Sequence, residues 1–406
     1  MNLTGLIINA KECVMNYQLI NQKTAEGRNG YIQYIKLLLY KNRKDLFDLL
    51  EFDADAPFME PMLYTWFNAR EKKVPLDQIV YGYIVPEKRP GSITVYPDRS
   101  GIVYLPNIGY YHTNIMEGPI EYYGHETASQ ARLVVNGEAI NAAYEPRYLL
   151  HDSGIELCLH NDPLLNTLFE GNEDPAIEDV VSRHKQHLEK ALAYIKNYYP
   201  EFDALLHATV KRVVIFKSKQ MRSFASMLAN GTAFFNAQDW HDEVFFCEDI
   251  THQCGHVIYY AVMFDKTSFF SVPPETPIKQ FNNRSNDVRT VLGAFYSLLP
   301  FCFSNTNSWR LLDGEIFSDR QLHEFLGRFA FRMRKFRIAL EDFRSGDMLS
   351  EKGRLLWNEF EDTLNEVDEK VNSFLYQYET SNQTYDFSYE NFLLLNPIAN
   401  PVTNQL

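Results

Sequence analysis

The sequence predicts an α+β fold with a mostly helical second half. Two late stretches, SDRQLHEFLGRFAFRMRKFRIALEDF and LSEKGRLLWNEFEDTLNEVDEKVNSFLYQYE, repeat apolar residues at helical spacing. The short connection over residues 344–347 is typical of an antiparallel helical pair. By contrast, residues 78–145 contain short β-branched or aromatic segments, such as GSITVYPD and ARLVVNGEAI, bounded by turn-forming residues. We therefore expect a strand-bearing, irregular first half.

The elements follow one another in a simple order. Helical periodicity over about residues 27–50 predicts an opening helix, and the strand-bearing region comes next. A later helix should end near Pro200, where a second one begins. Two short apolar strands, KRVVIFK and GTAFFNA, then precede helices over about 242–264 and 286–301. We expect these strands to form a small sheet beside the first of the two helices.

An acidic stretch containing Gly171 and Pro175 predicts a junction near residue 170. We expect a mixed α/β region over residues 1–170 that can bind substrate, a helical metal-binding domain over 171–380, and a tail over 381–406. The tail is rich in Asn and Tyr and contains two prolines. This composition favours a loop or an ordered arm over a helix.

Composition and charge exclude several classes of protein. The net charge of -14 and the absence of a basic cluster disfavour nucleic acid as a partner. No apolar run approaches the roughly 18 residues that span a bilayer, and the start lacks a signal-peptide pattern. Five scattered cysteines without a CxxC pair are typical of reduced thiols: Cys13, Cys158, Cys247, Cys254 and Cys302. We therefore expect a cytoplasmic protein with no membrane partner.

The sharpest motif is a histidine pair in the segment EDITHQCGHVIYY. His252 and His256 stand four residues apart, so that on a helix they share one face with Cβ atoms roughly 5–6 Å apart. Two imidazoles at this distance can bind one metal ion. The alternative is that both are hydrogen-bonded structural residues, because an HxxxH pair also occurs by chance.

The residue after the first histidine argues against a peptidase. A strand followed by a helix with this pair is the setting of zincin HExxH sites. A zincin peptidase needs a glutamate general base where this chain has Gln253, which cannot accept a proton. A metzincin third ligand is also missing, since Val262 stands six residues after His256. Ordinary zincin proteolysis is therefore disfavoured.

From about Glu178 to Val371 the chain resembles the bacterial HExxH-motif peptide-modification proteins, which are encoded beside ribosomally made, post-translationally modified peptides. The resemblance rests on the order YIKNYYPEF, KRVVIFK, SFASMLANGTAFFNA, EDITHQCGHVIYY, DVRTVLGAFYSLLPF and the final helical pair. It implies a zincin-like helix used for mononuclear Fe(II), with 2-oxoglutarate and dioxygen as cosubstrates. The implied reaction hydroxylates a side-chain carbon of a precursor peptide, and Gln253 is compatible with it.

The resemblance also implies an arginine and, some seven residues later, a histidine ligand. Arg289 matches the arginine and could hold the far carboxylate of 2-oxoglutarate in a bidentate fork. Its alternative is a salt bridge with Asp287 or Glu275. The histidine position is Tyr296, which could ligate as a phenolate, hydrogen-bond to a metal-bound water or pack in the core. Asp287 and Glu275 are the other candidates for a third ligand.

Several further polar groups are weaker candidates. Arg222 and Ser223 could hold the cosubstrate carboxylate instead of Arg289. His112 and His125 could reach the metal only if the irregular region folds over it. Two other groups are interpreted as structural, because one lies on a charged helix face and the other at a helix start: His184 with His187, and His241 with Asp242 and Glu243.

We therefore predict an Fe(II)- and 2-oxoglutarate-dependent oxygenase, an oxidoreductase acting on a precursor peptide. His252 and His256 would bind the metal and Arg289 the cosubstrate, with Gln253 and Tyr296 at the reacting centre. The alternative is a catalytically inactive or zinc-stabilised protein that binds a peptide or partner of the same pathway. A hydrolase with a different base would need a carboxylate near the metal.

Overall fold

The described strands lie in the middle of the chain, and helices dominate its later part. The computed structural model describes residue 15 and residues 17–150, 153–162, 164–169, 176–282 and 284–398. Helix accounts for 53% of the structure and strand for 13%. The predicted α+β class is therefore confirmed. Cys13 and the predicted junction at Gly171 and Pro175 lie outside the described residues, and the three-part division remains a prediction.

Twelve α-helices are formed by the described residues. In chain order they are α1 (Tyr17–Asn42), α2 (Lys44–Phe47), α3 (Pro61–Asn68), α4 (Leu76–Val80), α5 (Ile177–Tyr198), α6 (Pro200–Thr209), α7 (Glu243–Val262), α8 (Val291–Phe295), α9 (Leu298–Asp313), α10 (Asp319–Glu341), α11 (Glu351–Leu375) and α12 (Tyr389–Leu395). None of them combines the length and the apolar composition that crossing a membrane requires.

The described strands form three sheets. In chain order they are β1 (Ile93–Val95), β2 (Ile102–Leu105), β3 (Gly109–His112), β4 (Ile120–Tyr123), β5 (Arg132–Val135), β6 (Glu138–Ile140), β7 (Ala143–Pro146), β8 (Tyr148–Leu150), β9 (Ile155–Leu157), β10 (Arg212–Phe216), β11 (Phe224–Ala225) and β12 (Thr232–Asn236). The strand orders are β1-β4-β5-β6, β2-β3-β7 and β11-β12-β10-β9-β8. All pairings are antiparallel except those of β10, which is parallel to both β9 and β12.

The described chain divides into two compact units, each assembled from separate stretches of sequence. The helical unit takes its residues from Met1–Lys23, Gln186–Leu206 and His241–Leu406. The mixed unit takes its residues from Thr24–Lys185 and His207–Trp240 and contains all three sheets.

In the helical unit, α7 packs against α9 and α10. The helix begins after Asp242, whose carboxylate accepts a hydrogen bond from the backbone N–H of Val244 at 3.0 Å. Its residues are buried around nearly the whole circumference, which is typical of a central helix. The predicted helix over 242–264 agrees with α7 to within two residues at each end.

In the mixed unit, a charged network lies inside the apolar core. Arg212 on β10 is 1% exposed and forms ion pairs with Glu60 at 3.1 Å and with Glu156 at 3.9 Å. Its Nη2 also donates to the hydroxyl of Tyr104 at 2.6 Å. Glu60 in turn accepts from the N–H of Met62 and so caps α3. The network thereby connects β10, β9, β2 and the start of α3.

Two local predictions differ from the structure. The helix expected over 286–301 is instead two helices. Helix α8 ends at Phe295 and α9 begins at Leu298. Pro300 lies in the first turn of α9, a position where helices tolerate proline. The expectation that the tail has no helix is wrong for α12. Ser388 caps this short helix, and its residue Phe392 is fully buried beside Phe387.

Candidate metal centre

The two histidines of the motif lie side by side on α7. Their ring centres are 4.8 Å apart, and His256 is 8% exposed. Neither imidazole forms a hydrogen bond with any described residue, and both Nδ1 atoms are buried without a partner. Buried nitrogen atoms in proteins are nearly always hydrogen-bonded, so each exception needs an explanation such as a bound ion or water. The pair therefore has the unpartnered nitrogen atoms that a metal site requires.

Both imidazoles are held in the neutral form. Burial lowers the pKa of His252 well below its usual range, and the charge of Arg332 on α10 lowers it further. Burial and Arg332 also lower the pKa of His256, to about 3. Neutral imidazole is the form that coordinates metal ions. These histidines can therefore act as ligands at neutral pH without first losing a proton.

Tyr296 packs against the site with the face of its ring. It stacks on His256 with ring centres 4.0 Å apart and planes inclined by 16°. Its hydroxyl lies 2.5 Å from the hydroxyl of Tyr260, and burial raises its pKa well above the usual range. A phenolate ligand would have to present its oxygen to the metal, whereas the Tyr296 hydroxyl contacts that of Tyr260. Of the three predicted roles, packing is the one that this geometry favours.

Arg289 donates to carboxylates through two of its three guanidinium nitrogens. Its Nε and Nη2 donate to Asp287 at 2.9 and 2.6 Å, and Nη2 also donates to Asp342 at 2.8 Å. The predicted salt bridge with Asp287 is therefore formed. The one with Glu275 is not, because Glu275 pairs with Lys266 at 3.0 Å. A cosubstrate that bound Nε or Nη2 of Arg289 would compete with these carboxylates.

Within the described part of the chain, no third His, Cys, Asp or Glu ligand completes the pair. Among the described residues, neither Asp287 nor Glu275 belongs to a group of three or more His, Cys, Asp or Glu side chains with mutually close ligand atoms. The residues present therefore supply two protein donors for iron or zinc. The remaining positions would have to be taken by cosubstrate oxygen atoms or water.

Arg332 lies near the histidine pair, and the sequence motif did not predict it. Its guanidinium carbon lies 5.9 Å from the ring centre of Phe301, whose ring centre is 5.4 Å from that of His252. The Nε–H group of Arg332 donates to Glu248, and no other hydrogen bond of this guanidinium is formed within the described residues. The terminal N–H groups are thus available to an anion. A spacing of four between Arg328 and Arg332 was the available sequence signal.

Glu248 holds the Arg332 side chain in place. The carboxylate accepts from Arg328 at 2.9 Å and from Arg332, and all three side chains are buried. Burial opposes ionisation of Glu248, yet Arg332 and Arg328 together hold its pKa below the usual range. Arg328 also pairs with Glu324 at 2.8 Å. This closed network fixes α10 against α7 beside the histidines.

The other predicted candidates lie in different surroundings. His112 contacts Glu145 and His160 in the mixed unit, whereas His125 is exposed and accepts from the N–H of Thr127. Ser223 accepts a hydrogen bond from the backbone N–H of Asn236 at 2.9 Å.

Contrary to the prediction, His184 does not lie on a solvent-exposed charged face of its helix, because it is only 1% exposed. That prediction is wrong. His187 lies 2.6 Å from Glu243, and its interpretation as a structural residue remains a prediction.

Gln253 gives a direct test of the peptidase interpretation. Its side chain is 6% exposed and donates from Nε2 to Asp249 at 3.1 Å. We expect Gln253→Glu to produce no peptide hydrolysis, because the new carboxylate would lie against that of Asp249 rather than act on a metal-bound water. A disabled peptidase would instead gain about 10²–10⁴-fold. The measurement is mass spectrometry of a peptide pool incubated with zinc and, separately, with iron, and Gln253→Ala is the control. Metal-dependent cleavage by the glutamate form alone would contradict this expectation.

No protein-family model matches the chain, and no curated protein matches it significantly. Membership of the HExxH-motif peptide-modification family therefore remains a prediction.

Proposed function

We propose that this chain is an Fe(II)- and 2-oxoglutarate-dependent oxygenase that hydroxylates a side-chain carbon of a precursor peptide. The observation that carries the proposal is the pair His252 and His256, which are neutral, one helical turn apart and not hydrogen-bonded to any residue that the structure describes. A buried polar atom without a partner costs about 1–3 kcal/mol. Binding of a metal or of water at these rings would offset that cost.

The charges around the pair support an anionic cosubstrate. Arg332 and Lys335 both lower the pKa of His252, so the site is electropositive without a bound ligand. A dicarboxylate such as 2-oxoglutarate would neutralise this field, and a bidentate fork would orient it. We assign this role to Arg332, because neither of its terminal nitrogens donates to a described residue, whereas Nη2 of Arg289 already donates to Asp287 and Asp342.

The remaining residues have supporting roles in this proposal. Iron, when bound, would supply the redox chemistry that breaks a C–H bond of the peptide. Phe301 and Tyr296 line the two rings with aromatic surface and limit the access of water. Gln253 donates to Asp249 and serves neither as a base nor as a ligand. No proton acceptor beside the metal is required.

A second candidate is a zinc-stabilised or inactive protein that binds a peptide or partner of the same pathway. The observation in its favour is that the described residues supply only two histidine donors, with Tyr296 stacked where the resemblance implies a third. The two candidates differ in their metal and in their response to oxygen.

We propose a cytoplasmic location. The four cysteines among the described residues are buried and none of them is in a disulfide bond: Cys158, Cys247, Cys254 and Cys302. Thiols that stay reduced are typical of proteins in a reducing compartment. Fe(II) and 2-oxoglutarate would be available there.

The oxygenase proposal predicts a spectroscopic signal. Anaerobic addition of Fe(II) and 2-oxoglutarate to the native chain should give a weak charge-transfer band in the visible, and His252→Ala should abolish it. The matched control is His241→Ala, since that ring stacks on Phe245 near the start of α7 without taking part in the pair. With oxygen and the correct peptide, succinate and a mass gain of one oxygen should follow. Tightly held zinc with neither band nor succinate would favour the binding protein instead.

A further inference from the structure

A second set of metal-type donors lies in the mixed unit. We propose that His112, Glu145 and His160 bind a divalent first-row transition-metal ion, such as Zn(II) or Fe(II), with an open coordination position. Within the described residues they are the one group of three or more His, Cys, Asp or Glu side chains whose ligand atoms all lie within 4.8 Å of one another. Two imidazoles and one carboxylate form the donor set of facial-triad iron sites and of catalytic zinc sites.

The sheet and one loop bring the three residues together. His112 ends β3 and Glu145 lies on the adjacent antiparallel strand β7, where it pairs with Tyr110. Because alternate residues of a strand share a face, His112 and Glu145 are diagonal neighbours on one side of the sheet. His160 follows β9, and the N–H of the preceding Leu159 donates to the Tyr110 hydroxyl at 3.3 Å. Backbone pairing and this bond together position the donors.

The contacts of His160 are those of a ligand oriented by an outer carboxylate. Its Nδ1 lies 2.6 Å from Glu178, and its Nε2 lies 2.6 Å from the same Glu145 oxygen that is 2.7 Å from Nε2 of His112. Nδ1 thus contacts a carboxylate outside the cluster, while Nε2 faces the oxygen of Glu145 that His112 also contacts. Metal-bound histidines commonly have such an outer carboxylate on the second ring nitrogen.

Charge and access indicate a divalent ion with an open side. Glu145 and Glu178 contact the imidazoles directly, and Asp98 interacts electrostatically with His160, so carboxylates predominate around the cluster. The side chain of His160 is 11% exposed, whereas those of His112 and Glu145 are 38% and 36% exposed. One side of the cluster is thus closed by protein and the other faces solvent. Three protein donors with an accessible fourth position are typical of a catalytic rather than a structural site.

This proposal does not rest on the oxygenase, and its test is arranged to be independent of it. The full chain carrying His252→Ala and His256→Ala is freed of metal with a chelator and titrated with Zn(II) by calorimetry and with Co(II) by visible absorption. We expect one equivalent of each ion to bind. Adding Glu145→Gln or His160→Ala should weaken binding by about 100-fold or more, and Glu178→Gln by about 10–100-fold, as for an outer-sphere partner. The matched control is His125→Ala, which removes an exposed histidine of the same unit and should bind fully.

Circular dichroism and urea unfolding verify that each variant is folded, and Glu145→Gln preserves the shape of the side chain. The proposal is overturned if the His252→Ala, His256→Ala background binds neither ion stoichiometrically. It is equally overturned if folded Glu145→Gln and His125→Ala bind Zn(II) with the same affinity, since protons alone would then satisfy the cluster. Failure of the oxygenase is seen separately, as the absence of the 2-oxoglutarate band in a native chain that still binds metal at this cluster.

Discussion

Replacing Arg212 with methionine is expected to lower the free energy of unfolding by about 3–5 kcal/mol, the usual cost of removing one member of a buried ion pair. Arg212 is 1% exposed and faces Glu60 and Glu156, which are themselves buried. Methionine fills much of the same volume but leaves both carboxylates without their cation. Urea unfolding followed by circular dichroism measures the loss. The matched control is Arg183→Met, because Arg183 pairs with Asp239 at the surface and should leave stability nearly unchanged.

The same variant should show a distinctive pH dependence. Burial already raises the pKa of Glu156 above its ordinary value although Arg212 opposes this, so loss of the arginine should raise it further. A carboxyl group with a raised pKa in the folded state binds more protons there than in the unfolded state. Stability then falls as pH rises from the unfolded pKa of Glu156 towards its folded pKa. The deficit of Arg212→Met should therefore shrink as pH is lowered from about 7 to about 5. A deficit that does not change with pH would mean that lost packing, not unpaired charge, is its cause.

Local periodicity explains what the sequence could predict. The motif helix, the long pair α10 and α11, and the shared face of His252 and His256 all follow from spacings within a few residues along one helix. The short helix α12 was missed because seven residues are marginal as an isolated helix. It is stabilised instead by burial of Phe392, which packs against Phe387 and close to Gly327 of α10.

Contacts between distant residues could not be predicted in the same way. Glu145 is 33 residues from His112 and 15 from His160, and the three meet only because β3 and β7 pair in one particular register. A shift of one residue would turn Glu145 to the opposite face of the sheet. Arg332 likewise meets Glu248 across 84 residues, through the packing of α10 on α7. The sequence does not reveal how α10 packs on α7. The sequence pattern therefore favours Arg289, not Arg332, as the residue that binds the cosubstrate.

Arg332→Lys is expected to weaken 2-oxoglutarate binding to the Fe(II)-loaded chain by about 10–100-fold, the equivalent of one or two lost hydrogen bonds to a charged group. Lysine retains the positive charge that Glu248 requires and so limits the disturbance of the buried network. It cannot reproduce the two parallel N–H groups of the guanidinium. The measurement is an anaerobic titration of the charge-transfer band, which gives the affinity directly.

Arg289→Lys is the matched control, because it makes the same chemical change at a guanidinium already held by Asp287 and Asp342. The 2-oxoglutarate affinity of this variant should stay within about threefold of the native value. The new lysine still faces Asp287 and Asp342, and the substitution removes no contact to the cosubstrate. If Arg289→Lys loses affinity while Arg332→Lys retains it, the clamp is Arg289, and its two carboxylates must release it when the cosubstrate binds. If neither substitution changes the affinity, the electropositive field beside His252 has another purpose, and the proposed binding of 2-oxoglutarate by a guanidinium fork is wrong.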